Sequence, residues 1–342
     1  MSSSSGLRVA VVGATGQVGT VMRALLRERG FDAAEVVPFA SARSAGRTLD
    51  DGTTVVELSD EAIQGFDLAL FSAGGSTSKA WAPKFAAAGA VVIDNSSAFR
   101  MDDAVPLVVA EVNPEALDGH RGIIANPNCS TMQMVVALKP LHDRAGIERL
   151  VVTTYQAVSG TGKDAVDELH AQARAVVEGH DVPPAEVYAH QIAFNALPHA
   201  GSFGDGDDHT DEERKLINET HKILDPQIRV SPTCVRVPVV NGHSESVVLE
   251  LRQELSADAA RELLRDAPGV ELLDDPANGI YPLATEADGT DPVLVGRVRE
   301  DPGHPRGLAL WVVADNLRKG AALNAVQLAE LVVERGLVGA RA

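Results

Sequence analysis

The apolar positions in the first part of the chain form short runs that alternate with helical segments. These runs cover residues 7–12, 35–39, 66–71, 90–93, 106–110 and 122–125. Each has the length of a strand that is buried on both faces, and a glycine-rich or polar stretch follows most of them. Strands that alternate with helices predict a doubly wound, Rossmann-like parallel sheet.

The pattern changes after residue 141. Strands are predicted at 149–158, 233–240, 245–251, 293–299 and 307–314, with helices at 163–178 and 210–224. The turn at 241–244 lies between two of these strands and predicts a hairpin whose tip presents His243. We therefore expect a second, α+β domain over residues 129–316. A closing amphipathic helix at 321–335 is expected to pack back on the first domain, which then comprises 1–128 and 317–342.

One cysteine lies where a strand passes into a helix. It belongs to Ala125-Asn126-Pro127-Asn128-Cys129-Ser130-Thr131, between the apolar run at 122–125 and a helix predicted over 132–141. Asn128 is a candidate helix cap, and free N–H groups at a helix start favour a thiolate there. Cys129 is therefore either a nucleophile or a small buried residue at a tight connection, and its position alone leaves both open.

A glycine motif follows the first strand directly. Gly13-Ala14-Thr15-Gly16-Gln17-Val18-Gly19 has the spacing G-x-x-G-x-x-G, and a helix is predicted after it, at 20–29. Glycines in such a turn let the backbone approach a pyrophosphate that lies on the helix N-terminus. Between a strand and a helix, the motif predicts a dinucleotide site rather than a plain turn.

The residues after the second strand bear on the choice of cofactor. An NAD site usually carries an acidic residue here for the ribose hydroxyls, whereas this chain has Ser41, Arg43 and Ser44. An arginine with two hydroxyls suits a 2′-phosphate, although a loop arginine can also be merely solvated. We expect NADP.

Four further charged or ionisable residues are candidates for a site. Arg100 follows the strand at 90–93 and could bind a phosphate or a carboxylate, and Arg236 lies in an apolar strand where it needs an anionic partner. That partner is either a ligand or an internal acid. Glu212 and Lys215 share one helix face, for which a solvated ion pair is the default.

Composition narrows the class of protein. The chain has 342 residues with a formal net charge of −18, which argues against a general nucleic-acid surface. Two cysteines cannot form a disulfide framework, so a cytoplasmic protein is expected. The start Met1-Ser2-Ser3-Ser4-Ser5 lacks the features of a signal peptide and is expected to be frayed, and no apolar run is long enough to span a membrane. No metal site is expected.

Taken together, these stretches resemble the aspartate-β-semialdehyde dehydrogenase family over nearly the whole chain. Besides the cysteine and glycine motifs, the matching stretches are Ser41-Ala42-Arg43-Ser44, Ser97-Ala98-Phe99-Arg100, Gln156-Ala157-Val158-Ser159-Gly160, Glu212-Glu213-Arg214-Lys215, Arg236-Val237-Pro238-Val239, Gly242-His243-Ser244 and Asp315-Asn316-Leu317-Arg318-Lys319-Gly320-Ala321. Each is short, but their joint presence in this order is specific.

The resemblance implies a role for each matching residue. It makes Cys129 the nucleophile that forms an acyl-enzyme, His243 the general acid/base and Gln156 the residue that positions the thioester. The substrate residues that it implies are Arg236 for the carboxylate, Arg100 and Lys215 for the phosphate, Glu212 for the amino group, and Asn128. The cofactor contacts that it implies are Gly13, Thr15, Gly16, Gln17, Val18, Ser41, Arg43, Ser44, Ser159, Gly160 and Asn316.

The implied reaction is the NADPH-dependent reduction of 4-phospho-L-aspartate to L-aspartate 4-semialdehyde, in biosynthesis of lysine, threonine, methionine and isoleucine. Cys129 would expel phosphate to form a thioester, and hydride transfer would follow. A homodimer is implied, with the sheet of the second domain as its contact surface. N-acetyl-gamma-glutamyl-phosphate reductase, glyceraldehyde-3-phosphate dehydrogenase and a catalytically silent NADP-binding regulator are the alternatives.

Overall fold

The structure, a computed structural model, describes residues 6–339. The serine-rich start lies outside the described residues. The chain divides into two compact units, of which the first combines the residues up to Asn128 with those from Ala321 onward. The second unit is Cys129–Gly320. The return to the first unit thus begins after Gly320, whereas the sequence placed it at residue 317.

The first unit contains a six-stranded parallel sheet. Its strands, in the order β3-β2-β1-β4-β5-β6, are β1 Leu7–Val12, β2 Ala33–Ala40, β3 Val56–Glu57, β4 Leu68–Phe71, β5 Val91–Asp94 and β6 Ile123–Ala125. The helices of this unit are α1 Gln17–Glu28, α2 Gly75–Ala88 and α8 Asn324–Glu334. The strand order reverses at β1, so the predicted doubly wound parallel sheet is confirmed.

Apolar side chains on the two faces of this sheet form separate cores. Met22 and Leu25 of α1 pack with Val326 and Ala329 of α8 against one face. On the other face Phe85 of α2 contributes to a cluster of phenylalanine rings. Because both faces are covered, β4 and β5 are fully buried, and both are apolar in sequence except for Asp94 at the end of β5.

Two strand predictions in the first unit need correction. Residues 106–110 were expected to form a strand, but they make only an isolated bridge between Leu107 and Ala125. Conversely, the short edge strand β3 was not expected, because two residues give no periodic signal.

The second unit contains a mixed six-stranded sheet. Its strands, in the order β10-β11-β12-β9-β7-β8, are β7 Ile147–Gln156, β8 Arg229–Arg236, β9 His243–Leu251, β10 Val270–Leu272, β11 Val293–Glu300 and β12 Gly307–Ala314. The helices are α3 Cys129–Ala145, α4 Lys163–Glu178, α5 Asp211–Ile223, α6 Ala257–Arg265 and α7 Ala284–Ala287. Helices α3, α5 and α6 pack against strands of this sheet.

The predicted hairpin that presents His243 is wrong. Strand β7 lies between β8 and β9, parallel to the first and antiparallel to the second. The strand expected over 233–240 ends at Arg236, and His243 is the first residue of β9, where it pairs with Ala314. His243 is consequently buried in the sheet and is not exposed at a turn.

Helix α3 is longer than the sequence indicated. It begins at Cys129 and continues through Pro140 to Ala145, although proline normally ends a helix. Most of its residues are buried, from Ser130 to Leu138 without a break. Packing on nearly all sides stabilises the helix enough to offset the hydrogen bond that Pro140 cannot donate.

Candidate active site

In the second unit, a cavity of about 510 Å³ brings together Gly160 and five polar or ionisable residues that were selected from the sequence. It is lined by Cys129, Gln156, Glu212, Arg236 and His243. They come from α3, β7, α5, β8 and β9, so the mixed sheet and its covering helices place side chains that are far apart in sequence on one cavity.

Other parts of the cavity wall were missed. They belong to 187–190 and 197–202, within a segment whose prolines and irregular pattern suggested only a loop. Tyr188 is half-buried there, and its hydroxyl lies 2.9 Å from Thr161 Oγ1. Burial raises the pKa of Tyr188, and the Thr161 hydrogen bond opposes this shift only in part. No motif in the sequence marked these residues.

Cys129 stands at the first position of α3 and is half-buried. The helix N-terminus supplies backbone N–H groups and a positive end that favour negative charge on the sulfur or on a nearby oxygen. The side chain that follows, Ser130, is fully buried and accepts a hydrogen bond from Gln156 Nε2 at 2.8 Å. The first turn of α3 is thereby tied to the end of β7.

Gln156 lines the cavity and is held by its amide nitrogen. Besides Ser130, Nε2 lies 3.5 Å from Glu212 Oε1. The Oε1 atom of Gln156 is buried and has no partner among residues 6–339. An amide oxygen without a donor, in a cavity, is a ready acceptor for a ligand N–H or O–H group.

The ring of His243 has a defined orientation. The backbone N–H of Ala157 donates to Nδ1 at 3.0 Å, so in the neutral ring the proton is on Nε2. Nε2 itself is buried and has no partner in the described part of the chain. Burial, and after it the charge of Arg236, lowers the pKa of His243 well below its usual value. The neutral ring therefore offers an Nε2–H donor.

Gly160 allows this ring to approach the neighbouring turn. A Cβ atom on Gly160 would lie 3.1 Å from His243 Cε1 and Nε2, and 3.3 Å from Arg236 Nη1. Only a residue without a side chain leaves both groups in place. Gly160 lines the same cavity.

Arg236 is 5% exposed and lines the cavity without an acidic partner. Its Nη1 donates to the carbonyl of Ala157 at 2.7 Å, and its Nε has no acceptor within residues 6–339. The sequence left open whether an internal acid or a ligand neutralises this arginine. No Asp or Glu of the described chain lies within ion-pair distance, which favours a ligand anion.

Glu212 and Lys215 form the ion pair that helical spacing indicated. Helix α5 starts with a capping box between Thr210 and Glu213, which orients its first turn. Lys215 Nζ donates to Glu212 at 2.9 Å and to Asp211 at 2.6 Å. Burial lowers the pKa of Lys215, but these two carboxylates more than offset that effect and raise it. Glu212 lines the cavity, and Lys215 does not.

The first unit has its own cavity, of about 490 Å³, at the carboxyl ends of β1 and β2. Gly13, Thr15, Gly16 and Ser41 line it. Gly13 has φ +86°, and a Cβ there would lie 2.4 Å from the carbonyl oxygen of Ser72. Such a cradle, followed by a helix start, fits a pyrophosphate.

The remaining predicted cofactor residues of this unit lie beside that cavity. Gln17 and Val18 open α1, while Arg43 and Ser44 lie in the exposed turn 42–44 and are absent from the cavity wall. A residue that was overlooked, Glu57, does line it, because β3 pairs with β2 and sets Glu57 beside Ala40. In the sequence, the position expected for such an acid lies directly after β2, which is far from Glu57 along the chain.

Arg100, also in the first unit, is buried and held by backbone carbonyls. Its Nε donates to the carbonyl of Asn126 at 2.9 Å and its Nη2 to that of Asn95 at 2.6 Å. These contacts fix the guanidinium between two loops at the carboxyl ends of strands. Asn128, which precedes Cys129, is buried as well.

The side-chain amide of Asn316 forms hydrogen bonds within the second unit through both its oxygen and its nitrogen. Its Oδ1 accepts from Gly242 N–H at 2.9 Å, and its Nδ2 donates to Ser159 Oγ at 2.9 Å. Ser159 in turn donates to Asn241 Oδ1. The side chains of Ser159 and Asn316, which were expected at the cofactor, thus tie the turn before His243 to the turn that contains Gly160.

Comparison with known proteins identifies the family. Residues 8–120 match the model for the semialdehyde dehydrogenase NAD binding domain, and residues 138–319 match that for the semialdehyde dehydrogenase dimerisation domain. Aspartate-semialdehyde dehydrogenase from Aquifex aeolicus is 56% identical over 340 residues, which covers 97% of this chain and all of that protein. This chain belongs to the aspartate-semialdehyde dehydrogenase family.

Solved structures of aspartate-semialdehyde dehydrogenases have the same fold. The Vibrio cholerae enzyme II, solved in complex with ASA, is 49% identical with a TM-score of 0.91, covering 96% of this chain and 98% of that one. The Candida albicans enzyme with NADP is 26% identical with a TM-score of 0.75, covering 98% of this chain and all of that one.

Membership in this family confirms two predictions, an oxidoreductase and a two-domain α/β fold. A nicotinamide-dinucleotide site in the first domain is likewise supported by the matched family model. No helix within residues 6–339 is long and apolar enough to cross a membrane. The individual site residues stay predictions at this point, and so does the cytoplasmic location.

Proposed function

We propose that this chain catalyses the NADPH-dependent reduction of 4-phospho-L-aspartate to L-aspartate 4-semialdehyde through a thioester on Cys129. One observation carries the proposal. Three buried polar atoms without a partner in the described residues, Gln156 Oε1, Arg236 Nε and His243 Nε2, belong to side chains on the cavity that contains Cys129. Buried polar groups normally have partners, so a polar ligand is the natural complement of all three.

Arg236 is assigned to the substrate α-carboxylate. Its Nη1 is already used by Ala157, but Nε and Nη2 form the other edge of the guanidinium and can bind a carboxylate with two parallel hydrogen bonds. Since the arginine is buried, an anion beside it is strongly favoured over none. Glu212, on the same cavity, suits the substrate ammonium group.

Cys129 is assigned to the attack on the acyl carbon. The thiolate expels phosphate and leaves a thioester; NADPH then supplies hydride to the thioester carbonyl, and the resulting oxyanion collapses to aldehyde and thiolate. Negative charge on oxygen in both steps needs donors. The Nε2–H of neutral His243 is proposed as one donor, and the positive end of the α3 dipole favours the same negative charge.

His243 in this arrangement acts from Nε2. Because Nδ1 accepts the Ala157 N–H, the neutral ring donates a hydrogen bond and does not accept the thiol proton of Cys129 at Nε2. The thiolate of Cys129 is then stabilised by the N-terminus of α3 and not by His243. Gln156 is tied to Ser130 through Nε2, and its Oε1, which has no donor within residues 6–339, is assigned to a hydrogen bond from the substrate.

NADP is proposed as the cofactor. Gly13, Thr15, Gly16 and Ser41 would hold the dinucleotide in the cavity of the first unit, and Arg43 and Ser44 lie on the adjacent turn where a 2′-phosphate would need them. Arg100 and Lys215 are proposed for the acyl phosphate. Lys215 would have to exchange part of its contact with Asp211 and Glu212 for the phosphate oxygens.

A homodimer is proposed through the second unit. Helices α3, α5 and α6 pack on strands of its sheet. Tyr155 and Trp311 project from the sheet partly exposed and contact each other, with ring centroids 5.3 Å apart and ring planes tilted by 46°. Thr153, Ser246 and Trp311 share one row across β7, β9 and β12. An open, partly apolar sheet face of this kind suits a second copy of the chain.

The dimer has a direct test in Trp311→Glu, which puts a charge in the middle of that row. Light scattering after gel filtration should give a dimer for the natural chain and a monomer, or a dimer weakened at least tenfold, for the variant. Glu300→Gln on the neighbouring strand β11 is a matched control that should leave the dimer intact. A natural chain that is monomeric at micromolar concentration would contradict the proposal.

Two alternatives predict different substrates or none. N-acetyl-gamma-glutamyl-phosphate reductase would use the same thioester on a longer, acylated substrate, whereas a silent regulator would bind NADP without turnover. The test is NADPH formation from L-aspartate 4-semialdehyde and NADP, with and without phosphate. A parallel assay replaces the substrate with N-acetylglutamate 5-semialdehyde. Phosphate-dependent turnover of the first substrate alone is expected. Turnover of the acetylated one, or binding of NADP without turnover, would overturn the assignment.

A further inference from the structure

Glu245 is a fully buried acid that lies on β9, two residues after His243. On β9 the side chains of His243, Glu245, Val247 and Leu249 all point to the buried face, and Glu245 is the only acid among these four. Glu245 is 0% exposed. Neither of its carboxyl oxygens has a hydrogen-bond partner in residues 6–339.

The neighbour of Glu245 on helix α3 is Gln133. Gln133 comes four residues after Cys129, one helical turn further along the same face. Its side chain lies beside the Glu245 carboxyl group, and its Nε2 donates to the backbone carbonyl of His243 at 3.2 Å. Gln133 Oε1 is itself buried without a partner in the described chain.

These two side chains complement each other only if Glu245 is neutral. A carboxylate here would be buried without any counter-charge at ion-pair distance, which is among the most unfavourable states in a protein. A protonated carboxyl group has one O–H to donate, and Gln133 Oε1 needs one donor. Burial also raises the pKa of Glu245 well above its usual range, and the Gln133 amide opposes this only in part.

The surroundings supply no charge that would reverse this conclusion. The titratable and charged residues closest in position to the layer that contains Glu245 are His243 on β9, Cys129 on α3, Cys234 and Arg236 on β8, and Glu212, Glu213 and Glu219 on α5. The other charged residues of α3, β7 and β9 lie further along those elements, at 139–144, 148–149 and 250, and β12 carries none. Thr154, which pairs with Glu245 in the sheet, is neutral. Arg236 reaches away to the Ala157 carbonyl, and the acids on α5 would only disfavour a further negative charge.

We propose that Glu245 is a positioning residue whose neutral carboxyl group orients the Gln133 amide, which in turn fixes the backbone of His243. The chain of contacts runs from Glu245 to Gln133 and from Gln133 to the His243 carbonyl. It joins α3, which starts with Cys129, to β9, which starts with His243. These contacts hold the start of α3, with Cys129, in a fixed arrangement relative to the start of β9, with His243. The effect on turnover rests on the proposed function, whereas the neutral state of Glu245 does not.

Three variants test the proposal. Glu245→Gln keeps a donor of the same shape, Glu245→Leu removes it, and Gln133→Leu combined with Glu245→Leu tests whether the two act together. We expect Glu245→Gln to keep kcat within about twofold and Glu245→Leu to lower it at least fivefold, with KM for the semialdehyde changed less than twofold. The double variant should be no slower than the slower single variant.

Thermal unfolding tests the neutral state without any turnover. The unfolded chain loses the Glu245 proton above about pH 4.5, whereas the folded chain keeps it, so the natural protein loses stability as pH rises. Glu245→Gln is therefore expected to have the higher Tm, by a margin that widens from pH 5 to pH 8. Glu213→Gln is the matched control. Glu213 accepts N–H groups from Thr210 and Cys234, so its replacement should lower Tm at every pH.

Selective ¹⁵N labelling of histidine measures the tautomer and the environment of the His243 ring without any substrate. The natural protein and Glu245→Gln should show the same neutral tautomer, protonated on Nε2, and Glu245→Leu should shift it. Three results would overturn the proposal: Glu245→Leu with natural kcat and an unshifted His243 signal, Glu245→Gln as slow as Glu245→Leu, or a Glu245→Gln Tm that is lower than the natural one at pH 8. Lack of turnover by the natural protein would instead overturn the proposed function, and the Tm and ¹⁵N results would still decide the role of Glu245.

Discussion

The backbone N–H of Ala157 donates a hydrogen bond to Nδ1 of His243. Ala157 directly follows Gln156, the last residue of β7. Two consecutive residues therefore orient the imidazole, through the Ala157 backbone, and provide the side-chain amide of Gln156 in the cavity wall. The same contact decides which nitrogen of the ring carries the proton. The neutral ring of His243, which lines the cavity, is therefore a hydrogen-bond donor at Nε2.

His243→Ala should separate turnover from thiol reactivity. The loss of the Nε2–H donor is expected to lower kcat by about 10²–10⁴-fold. Alkylation of Cys129 by iodoacetamide at pH 7.5 should stay within about threefold of the natural rate, because the helix start rather than the imidazole favours the thiolate. Cys234 is buried and should not react in the folded protein. An alkylation rate that falls as steeply as kcat would show that His243 acts as a base on the thiol.

Arg236→Lys keeps the charge and removes the planar pair of donors. Charge-assisted hydrogen bonds contribute about 2–3 kcal/mol, so kcat/KM for the semialdehyde should fall roughly 30- to 150-fold. KM for phosphate should change little, since Arg236 is assigned to the other end of the substrate. Steady-state kinetics with each substrate varied in turn checks this. A larger effect on phosphate than on the semialdehyde would reverse the two assignments.

Gly160→Ala tests the close approach of the turn to the imidazole. The new methyl group would lie 3.1 Å from the His243 ring, so the ring or the turn must shift by a few tenths of an ångström. A displacement of this kind in an active site is expected to lower kcat about 10- to 100-fold with little change in Tm. Gly119→Ala, where a Cβ meets no atom within 4 Å, is the control and should leave kcat unchanged. Equal kcat for both variants would contradict the geometry described for His243.

Glu57→Gln tests whether the charge of Glu57 affects the preference between NADPH and NADH. Glu57 lines the dinucleotide cavity beside Ser41, and its carboxylate would repel a 2′-phosphate. Its removal should lower KM for NADPH by about two- to fivefold, the effect of a partly screened charge, and leave KM for NADH unchanged. Glu61→Gln, an exposed acid four residues later, should change neither constant. A rise in KM for NADH would instead assign Glu57 to the ribose hydroxyls.

The parts of the fold that rest on local signals could be predicted from the sequence. The unbroken apolar runs of a sheet buried on both faces gave β1, β4 and β5 with small errors at their ends. The bounds of α4 agree with the sequence prediction because a glycine precedes the helix and another, in the left-handed conformation, ends it. The motifs around Cys129 and Gly13 likewise lie at the predicted strand-to-helix turns.

The parts of the fold that depend on pairing between strands far apart in the chain could not be predicted from the sequence. Strand order is invisible to periodicity, so the sequence placed His243 at a hairpin tip, although β7 inserts between β8 and β9. Glu57 escaped notice because its place in the cavity follows from pairing with β2 and not from its position in the chain. Glu245 looked like an ordinary strand residue, and only the packing of α3 shows that it is buried without a counter-charge.

The most direct test of the account is a single-turnover measurement of the thioester on Cys129. The protein is mixed with L-aspartate 4-semialdehyde and NADP in the absence of phosphate, and NADPH and covalent adducts are followed together. The account predicts a burst of one NADPH per site and an aspartyl adduct on the peptide that contains Cys129, discharged by added phosphate. Cys129→Ala should give neither. A burst that persists in Cys129→Ala, or an adduct on Cys234 instead, would contradict the account.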